Sequence, residues 1–135
     1  MTKPLLVIAA LYLAAIGLAL LIVPAHFGTG AVPDDPAPEL LALLRLLGGP
    51  LIGIAVLNWT SRGTDPPTMR NTVILSDLVG FACVAGSDVV GVVSGGARDA
   101  ARIFLVVHLA FTVAFVVAWV RARAQTPQAQ MRDTR

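Results

Sequence analysis

Charged side chains are scarce: Lys, Arg, Asp and Glu together make up 13% of the 135 residues, where an ordinary soluble domain carries about a quarter. With 56% hydrophobic residues and a mean hydropathy of +0.79, one short domain could not hide its apolar surface from water. Lipid is therefore the expected solvent. Cysteine is limited to Cys83, read as buried in a membrane span. A single thiol makes neither an internal disulfide nor a CxxC redox pair, which excludes the four-helix thiol oxidoreductases. Two histidines, His26 and His108, are too few for a four-histidine dihaem site. They could ligate one haem only if His26 bent back into the bundle. No P-loop, HExxH, GxSxG or dinucleotide fingerprint is present. Ser76 beside Asp77 is no catalytic dyad, because consecutive helical residues point apart. The expectation is a non-enzymatic chain with no metal site and no cofactor.

What is abundant is long apolar sequence. Four segments reach the roughly 17 to 25 mostly apolar residues that a membrane helix needs: Leu5–Val23, Leu40–Thr60, Thr72–Ser94 and Ala101–Val120. The first is longer than a usual signal-peptide core and Pro24 spoils a cleavage site, so it reads as an uncleaved anchor. These segments predict an all-α integral membrane protein, a four-transmembrane-helix bundle over residues 1–120. A basic tail follows over residues 121–135. Lys3, Arg62, Arg70, Arg121, Arg123, Arg132 and Arg135 fall on one side of a four-pass chain. The positive-inside rule then puts both termini in the cytoplasm, at a bacterial inner membrane. The pI near 9.3 follows from that asymmetry, and no nucleic-acid partner is expected.

Within the spans, polar residues stand out. Arg45 lies about 8 Å inside the outer end of the second span, Asp88 about 9 Å inside the third and His108 about 10 Å inside the fourth, at 1.5 Å per residue. Three ionisable groups on three helices share one level. Each alone costs roughly 3 kcal/mol in hydrocarbon, so an Arg45–Asp88 pair with His108 nearby is expected. Arg45 is also shallow enough to snorkel to the outer headgroups. Asp77 precedes Asp88 by eleven residues, close to three whole turns, so both carboxylates share one helix face. That face would suit a proton or cation path, or two separate structural contacts, Asp77 pairing with Arg70 or Arg62. Asn58 lies on roughly the opposite side of its helix from Arg45 and belongs to a different contact.

Phe104, His108, Phe111, Phe115 and Trp119 recur at helical spacing on the fourth span. Phe104, Phe111 and Phe115 could line an apolar ligand face, or could simply pack. Gly49 and Gly53 form a GxxxG pair and Ala82 and Gly86 a small-xxx-small pair, spacings that serve helix packing or homo-oligomerisation. Trp59 and Trp119 sit near the cytoplasmic interface, where indoles anchor helices.

A first span ending "LLIVPAHFG", followed by "LLRLLGGPLIGIAVLNWTSR" and "RNTVILSDLVG", resembles a broad group of small bacterial four-helix inner-membrane proteins, loosely DoxX-like in size and layout. The resemblance implies a compact four-helix bundle in the bacterial inner membrane and no settled activity; DoxX proteins themselves are associated with sulfur redox chemistry and quinones. Three readings of function stay open. One is a binding or assembly protein, homo-oligomeric through its small-residue pairs. The second is a small proton-coupled transporter using Asp77 and Asp88. The third is an accessory subunit of a membrane redox complex that binds a quinone, a lipid or another hydrophobic small molecule along the His108 face.

Overall fold

The structure is a computed structural model; it describes residues 2–64 and 67–133, with side chains for 2–64 and 68–124. Five helices occur among them: α1 (Thr2–Ile22), the single turn α2 (Pro24–Phe27), α3 (Pro38–Ser61), α4 (Pro67–Val93) and α5 (Ala101–Asp133). All but α2 are long and apolar enough to cross a membrane. The fold is thus an all-α four-helix bundle, and the spans lie within a few residues of those expected from hydropathy. The basic segment after Val120, read as a solvated tail, continues α5 as helix to Asp133. The side chains of Arg132 and Arg135 lie outside the described residues.

Local chemistry sets the breaks. Pro24 cannot continue the hydrogen-bond ladder of α1 and instead starts α2. Pro38 and Glu39 open α3, where proline costs no amide bond and a carboxylate meets the positive end of the helix dipole. Gly95, with φ +72°, turns the chain out of α4 in the left-handed conformation that favours glycine.

The helices associate as two tight pairs, α1 with α3 and α4 with α5. Glycine makes the first pair possible. A Cβ built on Gly17 would lie 2.8 Å from the Gly48 carbonyl oxygen, and one on Gly48 would lie 2.6 Å from the Gly17 oxygen. Backbones approach this closely in membranes only over small residues. The expected packing pairs do not take this role. Gly49 and Gly53 have nothing within 4 Å of a built Cβ, and Ala82 and Gly86 are exposed on the outside of α4. The reason is helical phase: Leu44, Gly48, Leu51, Ala55 and Asn58 form the inward stripe of α3, so Gly49, one residue and 100° on, faces away. Cys83, read as buried, is exposed on the outer surface of the bundle.

The half of the bundle that carries Trp59 and Trp119 is densely packed. Leu6, Ile74 and Phe115 are fully buried there, surrounded by Ala9, Ala55 and Ala118. In mid-bundle Phe81 stacks on Phe111 at 4.5 Å between ring centroids and on Phe115 at 5.7 Å within the α4–α5 pair, and Tyr12 of α1 meets Phe81 and Phe111 from the other pair. Trp59 and Trp119 lie at the same end of the bundle and carry the guanidinium groups of Arg62 and Arg123 over their rings.

Overpacking a tight interface typically costs about 1–3 kcal/mol. Gly17→Val and Gly48→Val should each lower the unfolding free energy of the detergent-solubilised protein by that amount. Gly49→Val and Gly53→Val, on the open face, should change it little. Equal losses at all four positions would mean that α1 and α3 meet in another register.

Candidate functional site

Between the two pairs lies a cavity of about 490 Å³, bordered by residues of α1, α3, α4 and α5. Its walls are largely apolar, with Ile16, Leu51, Ile54 and Val84 among them. Polar groups enter at three levels.

At mid-height a chain of three side chains crosses from one pair to the other. His108 Nδ1 lies 2.5 Å from Asp88 Oδ2, and His108 Nε2 lies 2.7 Å from the Tyr12 hydroxyl. A carboxylate at Asp88 can only accept, so the imidazole donates from Nδ1 and its Nε2 accepts from the tyrosine O–H. A carboxylate that orients an imidazole towards a hydroxyl can hold or pass a proton. His108 is 9% exposed and edged by the rings of Tyr12, Phe81 and Phe104. The chain is therefore shielded from bulk solvent while bordering the cavity.

Towards the end of the bundle that carries Trp59 and Trp119, Asp77 forms the floor. Asn58 on α3 donates from Nδ2 to Asp77 Oδ1 at 3.1 Å. Asp77 Oδ2 and Asn58 Oδ1 are buried and have no hydrogen-bond partner. At the outer end, Arg98 from the α4–α5 turn reaches across to the α1–α3 connection. Its guanidinium donates to the carbonyls of Phe27 and Thr29, and lies 5.3 Å from the ring centroids of both Phe27 and Phe104.

The chain belongs to a family of unknown function. That family, described as a domain of unknown function (DUF8292), matches residues 7–132. No curated protein and no solved structure matches the chain.

Several of the expected site residues converge and others do not. Asp77, Asp88, His108 and Phe104 all border the one cavity. The Asp88–His108 contact was half of the expected cluster; the Arg45 half is absent. Arg45 is exposed and makes no ion pair among the described residues, and Asp88 bonds to His108 instead. Equal depth does not imply equal azimuth: Arg45 shares the outward stripe of Gly49 and Gly53, which leaves it free to snorkel. Asp77 pairs with neither Arg70 nor Arg62 but with Asn58. Phe111 packs between Tyr12 and Phe81, and Phe115 is fully buried, so both are core rather than ligand face. His26 is exposed on α2 and does not border the cavity, so it forms no axial pair with His108.

Sequence reasoning missed Tyr12 and Arg98. Tyr12 had a signal: it is the chain's one tyrosine, and it stands mid-span rather than in the interfacial belt where tyrosines collect. Arg98 had none beyond its place in an outer loop.

Contacting residues couple by about 0.5–3 kcal/mol in double-mutant cycles, whereas independent sites add within about 0.5 kcal/mol. Asp88→Leu with His108→Leu should therefore couple, and Asp88→Leu with Arg45→Met should add, both read from unfolding in detergent. Coupling of Arg45 to Asp88 would restore the ion pair that the geometry denies.

Proposed function

We propose that this chain is a membrane-embedded binding protein that holds a hydrophobic small molecule with a hydrogen-bonding head between its two helix pairs. The observation that carries the reading is the cavity itself. An apolar chamber of about 490 Å³ with a few convergent polar groups is the usual form of a small-molecule site. Asp77 and the Tyr12–His108–Asp88 chain are the polar groups available to the ligand, and Ile16, Leu51 and Val84 would meet its apolar body. Arg98 would close the outer end. The role is binding rather than catalysis, in a bacterial inner membrane with both termini cytoplasmic.

A second reading, a proton-coupled carrier, has one observation in its favour. Asp77 and Asp88 border the same cavity, about 16 Å apart along α4 at the helical rise. A carrier adds transport to binding, so it requires the first reading to hold.

Gly80 borders the cavity and has open space where a Cβ would go. Gly80→Phe should fill the chamber while leaving the unfolding free energy within about 1 kcal/mol of the parent. Organic extracts of the purified protein, compared by mass spectrometry, should contain a small molecule that the variant lacks. Identical extracts from a folded variant would remove the cavity from consideration.

Orientation has its own check in intact cells on a Cys83→Ser background. Gly30→Cys should react with an impermeant thiol reagent, and Gly63→Cys and Gln128→Cys should not. Labelling at position 63 from outside would invert the assignment of the two faces.

A further inference from the structure

The floor of the cavity is chemically incomplete. Asp77 is 4% exposed and Asn58 is 0% exposed, yet each keeps an acceptor oxygen with no donor, Asp77 Oδ2 and Asn58 Oδ1. Buried polar groups in proteins are almost always hydrogen-bonded, and those that are not call for an explanation. Asn58 spends Nδ2 on Asp77 Oδ1 and on the Ile54 carbonyl, so it cannot repair the deficit. Among the described residues no Lys, Arg or His nitrogen pairs with Asp77; the ion pair present is His108 with Asp88. What is lacking is a group that brings several N–H donors and positive charge.

We infer that Asp77 and Asn58 form the head-group subsite for the ammonium of an amphiphilic amine, whose apolar body extends up the cavity past Gly80, Phe81 and Val84. This rests on the reading of the cavity as a ligand site and names the class of ligand. An ammonium carries three donors, enough for both orphaned oxygens once the Asp77 and Asn58 side chains turn towards the cavity, whereas a hydroxyl carries one. Its charge offsets the carboxylate in a region where unpaired charge is costly. The Phe81 side chain, one helical turn above Asp77, adds an aromatic ring of the kind that attracts cations. An anionic head is disfavoured, because the cavity presents two carboxylates, and its one guanidinium, Arg98, is engaged with the carbonyls of Phe27 and Thr29.

The test uses the full chain in phosphatidylcholine nanodiscs, with empty nanodiscs as blank, and three probes of equal chain length: 1-aminodecane, 1-decanol and decanoate. Titration calorimetry should give an amine affinity about tenfold above that of the alcohol, the scale of one charge-assisted hydrogen bond, with decanoate weakest. Asp77→Asn should abolish the amine preference and keep alcohol binding. Asp77→Glu should retain the preference, and Asn58→Ala, which removes one acceptor, should reduce it even if Asp77→Asn does not fold. Alcohol binding without amine preference, or a preference that survives Asp77→Asn, would overturn the subsite and leave the ligand cavity standing. Binding of none of the probes above the blank would overturn both.

Discussion

The two helix pairs are joined across their seam by side-chain hydrogen bonds. Tyr12 meets His108 between α1 and α5, and Asn58 meets Asp77 between α3 and α4. In lipid there is no hydrophobic force to press one pair against the other, and packing, polar contacts and lipid entropy must do it. Each interhelical bond is worth only about 0.6–2 kcal/mol. Their weight lies in specificity. A hydroxyl, an imidazole, an amide or a carboxylate left facing hydrocarbon is costly, so arrangements that separate these partners are disfavoured more strongly than the native bonds are favoured. Arg98 adds a third tie, from the α4–α5 turn to the carbonyls of Phe27 and Thr29.

The pairs themselves are built differently from the seam. Within α1 and α3 the backbones touch at Gly17 and Gly48, leaving no room for a ligand. Across the seam the contact is made by large rings, with Tyr12 of α1 against Phe81 of α4 and Phe111 of α5. Towards the end that carries Trp59 and Trp119, Phe115 and the aliphatic side chains of Leu6 and Ile74 fill the space. Towards the α4–α5 turn the facing residues become smaller or fewer, Gly80 and Ala101 among them, and a cavity opens. Close-packed glycine pairs and a loosely filled seam are thus two outcomes of the same membrane physics, set by side-chain size.

Hydropathy made the four spans legible to within a few residues, because backbone satisfaction in lipid leaves few alternatives to a helix of about 20 residues. The shared face of Asp77 and Asp88 followed from eleven-residue spacing, and both do border one cavity. What spacing could not supply was the azimuth of one helix relative to another. Arg45 and Asp88 share a depth but not a direction. Gly48 and Gly49 differ by one position, yet one touches α1 and the other faces outward. A GxxxG spacing identifies a stripe on a helix without saying whether the fold uses it. Arg98 escaped notice for a related reason: it acquires its role only from the carbonyls of Phe27 and Thr29 in another connection, and nothing in its own neighbourhood announces them.

Asp77 and Asp88 illustrate how far environment separates two residues that the sequence makes equivalent. Both stand on the inward face of α4 and both border the cavity. Asp88 receives an imidazole N–H at 2.5 Å, and that imidazole is in turn engaged by Tyr12, so its hydrogen bonding closes on the protein. Asp77 receives one amide N–H, from a residue that is itself left with a spare acceptor. Replacing the Asp88 contact by a ligand contact would break an internal hydrogen bond, whereas a donor arriving at Asp77 Oδ2 would break none. The spare acceptor of the two carboxylates is therefore at Asp77, while the Tyr12–His108–Asp88 chain spends its hydrogen bonds on tying α1 to α5 and α5 to α4.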